Sequence, residues 1–124
     1  MILPGVIASS GGKPVVTGGT LYTSGGYNYR VFTASGTLGV TGGTLIADVL
    51  VVAGGGGGGT RGNRGGGGGG AGGYVYSASQ TFANGVSYTT TIGAGGASTV
   101  GGTNSNLTGG SLSLTAAVGG GRGG

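Results

Sequence analysis

The sequence lacks most of the side chains on which enzymatic chemistry depends. It has no Cys, His, Trp or Glu, and Asp48 is the single acidic residue in 124. General acid–base catalysis usually needs His, paired carboxylates or a Lys with a shifted pKa, and Ser or Cys nucleophiles need a basic partner. Metal sites need clustered His, Cys or carboxylates. The sequence therefore predicts a protein that is not an enzyme and that uses no metal or cofactor.

Long apolar segments are also missing. The longest run, 45–53, is interrupted by Asp48 and is far shorter than the roughly 20 residues of a membrane-spanning helix. The N-terminal residues have no basic segment, and Pro4 and Gly5 break their apolar stretch, so they make a poor secretory signal. We therefore expect no membrane insertion and no secretory export.

Glycine and positive charge are what the sequence has instead, with 39 Gly and a net charge of +4. Two Pro and no repeating G-X-Y period exclude collagen. Hydrophobic residues make up 35% of the chain and alternate in organised runs, which disfavours full disorder. Each Gly in regular structure costs about 0.5–1 kcal/mol relative to Ala. We expect self-assembly into a homo-oligomer to offset that cost.

The chain divides at about residue 13. Residues 1–13 form an apolar N-terminal arm, and residues 14–124 form a glycine-rich β domain. The apolar side chains Ile2, Leu3, Val6 and Ile7 predict that the arm docks on a partner; the alternative is a frayed terminus.

The sequence predicts strands over 45–53, 74–82, 86–92 and 111–118, the first from an apolar run rich in β-branched residues and the other three from period-two alternation. The first is nearly continuous and is expected to be buried on both faces. Tyr74, Tyr76 and Phe82 are expected to share one strand face. Asn84-Gly85 predicts a type I′ hairpin between the second and third strands. The predicted fold is all-β: a small sandwich or jelly-roll-like unit with glycine loops or polyglycine II segments.

Glycine tracts at 54–59, 65–73 and 119–124 separate the strands. Glycine recurs at every third position at Gly59, Gly62 and Gly65, which matches the three residues per turn of a polyproline II helix. Such a helix would carry Arg61 and Arg64 on one edge. The pattern favours packed polyglycine II helices or tight glycine loops over a flexible linker.

Several motifs follow one another in an order that resembles the glycine-rich domain of bacteriophage tail-fibre, tail-tip and other virion appendage proteins. They are Phe32-Thr-Ala-Ser-Gly-Thr, Asp48-Val-Leu-Val-Val-Ala-Gly-Gly-Gly, Gly70-Ala-Gly-Gly-Tyr-Val, Val86-Ser-Tyr-Thr-Thr-Thr-Ile-Gly-Ala-Gly-Gly, Asn104-Ser-Asn-Leu and Leu114-Thr-Ala-Ala-Val-Gly-Gly-Gly.

The resemblance implies an all-β domain, often trimeric or multimeric, that is exposed on a virion assembled in the host cytoplasm. A homotrimer is therefore the expected form. In phage adhesins, related glycine-rich segments form packed polyglycine II helices whose loops touch host receptors. We therefore expect a fibre or tail appendage subunit whose partners are itself, other virion proteins and a host-surface glycan or protein. The loops 54–73 and 93–102 would present the outer or subunit-facing surface, with Arg61, Asn63 and Arg64 as contacts.

Two other functions stay open. The first is a capsid decoration protein or head fibre. The second is an RGG-type nucleic-acid-binding protein that uses Arg61, Arg64 and Arg122. So few arginines would make few phosphate contacts, and binding would then be weak and sensitive to salt.

Asp48 and the six Tyr are the remaining candidates for specific roles. Asp48 is expected to be structural, through an ion pair with Arg30 or with an Arg of a neighbouring subunit, or through a turn contact. The Tyr side chains are expected to pack on strand faces; the alternative is a carbohydrate-stacking surface.

Overall fold

The structure is a computed structural model that describes residues 13–124, and the regular structure there is all-β with no helix. The all-β prediction is confirmed. The proposed docking residues Ile2, Leu3, Val6 and Ile7 lie outside the described residues. No helix long and apolar enough to cross a membrane occurs in the described range.

Within residues 13–124, eight strands form three sheets. A four-stranded sheet has the order β1-β4-β7-β8, and two-stranded sheets join β2 to β3 and β5 to β6. In the four-stranded sheet, β4 runs antiparallel to β1 and to β7. The strands are β1 (Val15–Thr17), β2 (Thr20–Ser24), β3 (Tyr27–Val31), β4 (Gly36–Thr41), β5 (Leu45–Val52), β6 (Tyr74–Phe82), β7 (Val86–Thr91) and β8 (Asn106–Thr108).

The chain forms two compact units. Unit 1 comprises the described part of Met1–Val49 together with Ser77–Thr90 and Leu107–Leu114; unit 2 comprises Leu50–Tyr76, Thr91–Asn106 and Thr115–Gly124.

Unit 1 contains the hydrophobic core. Phe82 and Tyr88 meet edge-to-face there, with ring centroids 5.0 Å apart and an interplanar angle of 74°, the geometry that aromatic pairs prefer. The Tyr88 hydroxyl accepts a hydrogen bond from the Ala83 N–H at 2.7 Å, so the one polar atom of this buried ring is satisfied. The buried cluster is Leu38, Val40, Leu45, Phe82, Tyr88 and Leu107.

The predicted strands over 45–53, 74–82 and 86–92 are confirmed as β5, β6 and β7, but the predicted hairpin between the last two is wrong. Instead, β6 pairs with β5, and β7 pairs with β4. Gly85 has a φ of 77°, whereas Asn84 is not among the residues of positive φ, so the turn is not type I′. The Gly85 N–H donates to the Val40 carbonyl at 2.8 Å, which directs the chain onto β4 rather than back along β6.

The predicted strand over 111–118 is also wrong. The strand in this region is β8, which ends before the chain turns at Gly109 and Gly110, with φ of 143° and 52°. The Leu112 N–H closes that turn on the Gly109 carbonyl at 3.0 Å. Among the described residues, the segment 111–118 takes part only in two isolated bridges, Gly109 with Leu112 and Ser105 with Ala117.

The prediction that β5 is buried on both faces is wrong as well. Its residues alternate: Leu45 and Val51 are buried, whereas Ile46, Leu50 and Val52 are more than half exposed. The strand therefore shows one solvent-facing side, as antiparallel sheets commonly do.

Candidate functional site

Five glycine-rich tracts of unit 2 pair with one another through their backbones. We number them tract 1 (53–59), tract 2 (65–73), tract 3 (93–99), tract 4 (100–103) and tract 5 (118–124). Tracts 1 and 2 are joined by hydrogen bonds at three-residue intervals: Ala53 N–H to Gly73 O at 2.9 Å, Gly56 N–H to Gly70 O at 2.8 Å and Gly59 N–H to Gly67 O at 2.8 Å. Three residues make one turn of a polyproline II helix. The tracts are therefore polyglycine II helices packed as a bundle.

Tract 1 is the central helix of this bundle, because it bonds to all four other tracts. The carbonyl groups of tract 1 accept hydrogen bonds at three-residue intervals; those of Gly54 and Gly57, for example, both accept from tract 5. The bonds are Gly54 N–H to Thr103 O, Gly57 N–H to Val100 O, Gly96 N–H to Gly55 O, Thr99 N–H to Gly58 O, Gly120 N–H to Gly54 O and Gly123 N–H to Gly57 O, all between 2.8 and 3.1 Å. Tracts 3 and 5 run parallel to tract 1, and tracts 2 and 4 run antiparallel to it.

Close approach of the tracts requires that side chains be absent. A Cβ added at Gly54 would overlap the carbonyl oxygen of Ala94, and one at Gly66 would overlap that of Gly59. The glycines of tracts 1 and 2 have no φ in the left-handed region. Where the tracts meet, as at Gly54 and Gly66, glycine is needed for space and not for its conformational freedom.

The directions of the tracts bring two turns and one chain segment to the same end of the bundle. One turn joins tracts 1 and 2 through residues 60–64, and the other joins tracts 3 and 4 through residues 97–100. Residues 122–124 of tract 5 lie at this end too. We call these three segments the tip.

The first turn of the tip carries the predicted contact residues Arg61, Asn63 and Arg64, all of them exposed. It closes through the Arg64 N–H and the Arg61 carbonyl at 2.7 Å, and Gly62 has a φ of 44°. The polyproline II helix expected to run through Arg61 and Arg64 is therefore wrong: the chain reverses there, and the helices lie on either side.

The second turn of the tip closes through the Val100 N–H and the Ala97 carbonyl at 2.9 Å, with Thr99 at a φ of 64°. The Arg122 guanidinium reaches the Thr99 carbonyl at 3.5 Å, which is a long contact. Sequence reasoning did not include Thr99 or Arg122 among the contact residues. Their position depends on the direction of each tract, which glycine spacing alone does not reveal.

The tip is positively charged. All charged side chains of unit 2 are arginines, namely Arg61, Arg64 and Arg122, and no acidic residue belongs to this unit. Such a surface can donate hydrogen bonds to carboxylates, phosphates or sugar hydroxyls. The described residues include no group of three or more His, Cys, Asp or Glu that could hold a metal ion.

Asp48 makes a backbone contact of the structural kind that was expected. Its Oδ1 accepts a hydrogen bond from the Ser79 N–H at 2.8 Å. Arg30, the predicted ion-pair partner, donates through Nη2 to the Val16 carbonyl at 2.6 Å and through Nη1 to the Gly18 carbonyl at 3.3 Å. The Arg30 side chain thereby ties β3 to β1 and to the turn that follows it.

The tyrosines were expected to pack on strand faces, and among the six only Tyr88 is buried, with 1% of its surface exposed. Tyr22, Tyr27 and Tyr29 lie on one face of the β2–β3 hairpin, where Tyr22 stands directly opposite Tyr29. Each of these three side chains is at least 50% exposed. Tyr74 and Tyr76 in β6 are also exposed, so aromatic surface is available on both units.

A cavity of about 250 Å³ lies in unit 1 between the turn at Gly18 and Gly19 and the segment 31–37. Its wall includes Phe32, Thr33 and Ser35 and no ionisable side chain. The cavity therefore lacks groups for acid–base chemistry.

Comparison with known proteins gives one match. A family model described as a glycine-rich domain matches residues 33–124, a range that contains β4 to β8, the five tracts and the tip. No curated protein and no solved structure matches the chain.

Proposed function

The chain belongs to the glycine-rich domain family, and from that premise we propose that it is a non-enzymatic structural protein of a bacteriophage virion. In this proposal it is a fibre or tail appendage subunit that acts in assembly and host-surface contact. The observation that supports this function best is the polyglycine II bundle with its exposed, positively charged tip. The motif order that resembles virion appendage proteins supplies the virion context.

The bundle suits surface contact because it holds its turns on rigid supports. Backbone hydrogen bonds fix both ends of each tip turn: Gly59 N–H bonds to Gly67 O, and Thr99 N–H bonds to Gly58 O, each at 2.8 Å. A turn that is already ordered loses little conformational entropy when it binds. Arg61, Asn63 and Arg64 then donate hydrogen bonds to a host glycan or protein without rearrangement of the bundle.

Assembly involves other parts of the molecule. The arm docks the subunit on another virion protein through Ile2, Leu3, Val6 and Ile7, and copies of the chain associate into a homo-oligomer, with a trimer as the expected form. In this proposal the protein is assembled into virions in the host cytoplasm.

The competing functions differ in location or ligand. A capsid decoration protein or head fibre would use the same bundle and differ only in its place on the particle. Nucleic-acid binding would draw on the three arginines of the tip, but the tip contains no aromatic side chain on which bases could stack. Three charges alone support only weak, salt-sensitive binding.

Immunogold electron microscopy of particles from a producing host culture tests the location. An antibody against unit 2 is expected to label a fibre or tail appendage. Label on the head would support the decoration or head-fibre alternative instead. Absence of label from particles that contain the chain by mass spectrometry would place it in the interior, and absence of the chain from purified particles would contradict a virion function.

Adsorption of the purified protein to host cells tests the tip. The Arg61→Ser/Arg64→Ser variant should bind at least about tenfold more weakly, because charge-assisted hydrogen bonds contribute about 1.5–3 kcal/mol each. Lys13→Ser removes a positive charge outside the tip and should bind as the wild type does. Equal binding by all three proteins would contradict contact through Arg61 and Arg64.

A further inference from the structure

Tract 2 is an edge of the bundle, and most of its backbone is unpaired. It bonds only through Gly67, Gly70 and Gly73, whose N–H groups donate to tract 5 and whose carbonyls accept from tract 1. The other six residues of tract 2 have no hydrogen-bond partner for their N–H and C=O groups within the described structure. These residues are Gly65, Gly66, Gly68, Gly69, Ala71 and Gly72.

The unpaired stretch also faces open space. A Cβ at Gly69 would overlap the Gly56 carbonyl oxygen inside the bundle, whereas a Cβ at Gly65 or Gly68 would meet no atom within 4 Å. Ala71 continues the row of Gly65 and Gly68 at the same three-residue spacing. We call Gly65, Gly68 and Ala71 the outer row of tract 2. All residues from 61 to 70 are exposed.

We propose that the outer face of tract 2 binds tract 2 of a second copy of this chain. A row of unpaired N–H and C=O groups is a template for pairing with another backbone, as at the edge strand of a sheet. The groups of tract 2 repeat every three residues, about 9.3 Å along a polyproline II axis. A partner must present the same repeat and must have few side chains, and another tract 2 meets both conditions, since Ala71 carries the one methyl group of its outer row.

The chemistry of the face favours this partner over others. Between Arg64 and Tyr74 the chain carries one methyl group and no charged side chain. This segment therefore offers too little apolar surface to bind an apolar protein surface and no positive charge to bind a polyanion. The same face on two copies gives a self-complementary contact, the usual arrangement of homodimers. This contact rests on the homo-oligomer of the proposed function and names the surface on which two copies pair. A self-complementary face pairs copies two at a time, so it predicts a dimer rather than the trimer that the resemblance implies. The test uses the purified protein and does not depend on any virion.

Light scattering of the purified full chain across concentrations measures this association. The wild type should change from monomer mass to dimer mass or higher as concentration increases. The variant Gly65→Ala/Gly68→Ala places methyl groups on the outer row and should raise the dissociation constant at least tenfold. Its matched control is Gly121→Ala/Gly124→Ala, which adds two methyl groups where a Cβ also meets nothing and should associate as the wild type does. Ala71→Gly should associate more tightly.

Equal association of wild type, outer-row variant and control would overturn the proposal, as would a wild type that stays monomeric throughout. Amide hydrogen exchange of the wild type tests the same contact without the outer-row variant, and it therefore still applies if that variant does not fold. In the wild type, the amides of Gly66 and Gly69 should exchange more slowly as concentration rises. Exchange at these amides that does not change with concentration would also contradict the contact. The particle-labelling experiment is independent of both results.

Discussion

Glycine has two distinct uses in this molecule. In the turns, Gly62 and Gly85 adopt positive φ of 44° and 77°, which other residues rarely reach. In the tracts, glycine leaves room for a neighbouring backbone. Side chains occur in the tracts where space is open: Ala71 lies on the outer row of tract 2, and Val118, in the same row as Gly121, is 65% exposed. Glycine is therefore a packing requirement at the tract positions that face a neighbouring backbone, such as Gly54 and Gly57.

Two alanine substitutions separate these situations. A Cβ at Gly57 would overlap the Ala97 carbonyl oxygen, whereas one at Gly121 would meet nothing. Gly57→Ala should lower the free energy of unfolding by about 2 kcal/mol or more, because the backbones must move apart. Gly121→Ala should raise it by about 0.5 kcal/mol through the loss of unfolded-state entropy. Urea unfolding checks both values, and equal stabilities would contradict backbone contact at Gly57.

At the scale of the element, β6 shows how one residue reverses the faces of a strand. Tyr74 and Tyr76 are exposed while Val75 and Ser77 are partly buried, but after Ser79 it is Gln80 and Phe82 that point inward. Ser79 has a φ of 53°, and this left-handed residue inserts one extra position, as a β-bulge does. The expectation that Tyr74 and Phe82 share a face is therefore wrong.

The Asp48 carboxylate stabilises this bulge by accepting the Ser79 N–H at 2.8 Å. Asp48→Ala should cost about 1 kcal/mol of unfolding free energy, because the hydrogen bond is lost at an exposed site. Asp48→Asn keeps an acceptor oxygen and should cost roughly half as much. Chemical denaturation of the three proteins measures the difference. A stability of Asp48→Ala equal to that of the wild type would show that the contact does not hold the bulge.

Sequence patterns predicted the positions of the strands better than the pairing of the strands in the sheets. Alternation located β6 and β7, and a nearly continuous apolar run located β5, because these signals are local. Triplet spacing predicted polyglycine II geometry, which occurs in the tracts on either side, whereas the triplet Gly59, Gly62 and Gly65 itself spans a turn of the tip. The pairing of β7 with β4 was missed, since it depends on the distant contact of Gly85 with Val40. The tip was predicted only in part: Arg61 and Arg64 follow from the chain itself, whereas the approach of Arg122 to Thr99 follows from the parallel course of tracts 3 and 5.

At the scale of the whole molecule, charge is divided unevenly between the units. The described part of unit 1 contains Lys13, Arg30 and Asp48, whereas unit 2 contains three arginines at the tip and no acid. In the proposed function, the tip faces the host surface and the apolar arm faces the particle. Assembly and contact are thus assigned to different segments, and each can be removed separately.

Deletion of residues 1–10 tests that assignment. The shortened protein should keep the wild-type free energy of unfolding, because it retains all the described residues of the core cluster, from Leu38 to Leu107. It should no longer be incorporated into particles, which mass spectrometry of purified virions measures. The Arg61→Ser/Arg64→Ser variant serves as the control and should be incorporated normally. Incorporation of the shortened protein at the wild-type level would contradict docking by Ile2, Leu3, Val6 and Ile7.

The account depends most on the polyglycine II bundle, and amide hydrogen exchange by NMR tests it most directly. In tract 1, the N–H groups of Gly54, Gly56, Gly57 and Gly59 are bonded, and those of Gly55 and Gly58 donate to no group in the described structure. We expect slow exchange at the four bonded amides and fast exchange at the amides of Gly55 and Gly58. Uniformly fast exchange through residues 54–59 would show flexible loops and would contradict the bundle, the rigid tip and the function proposed from them.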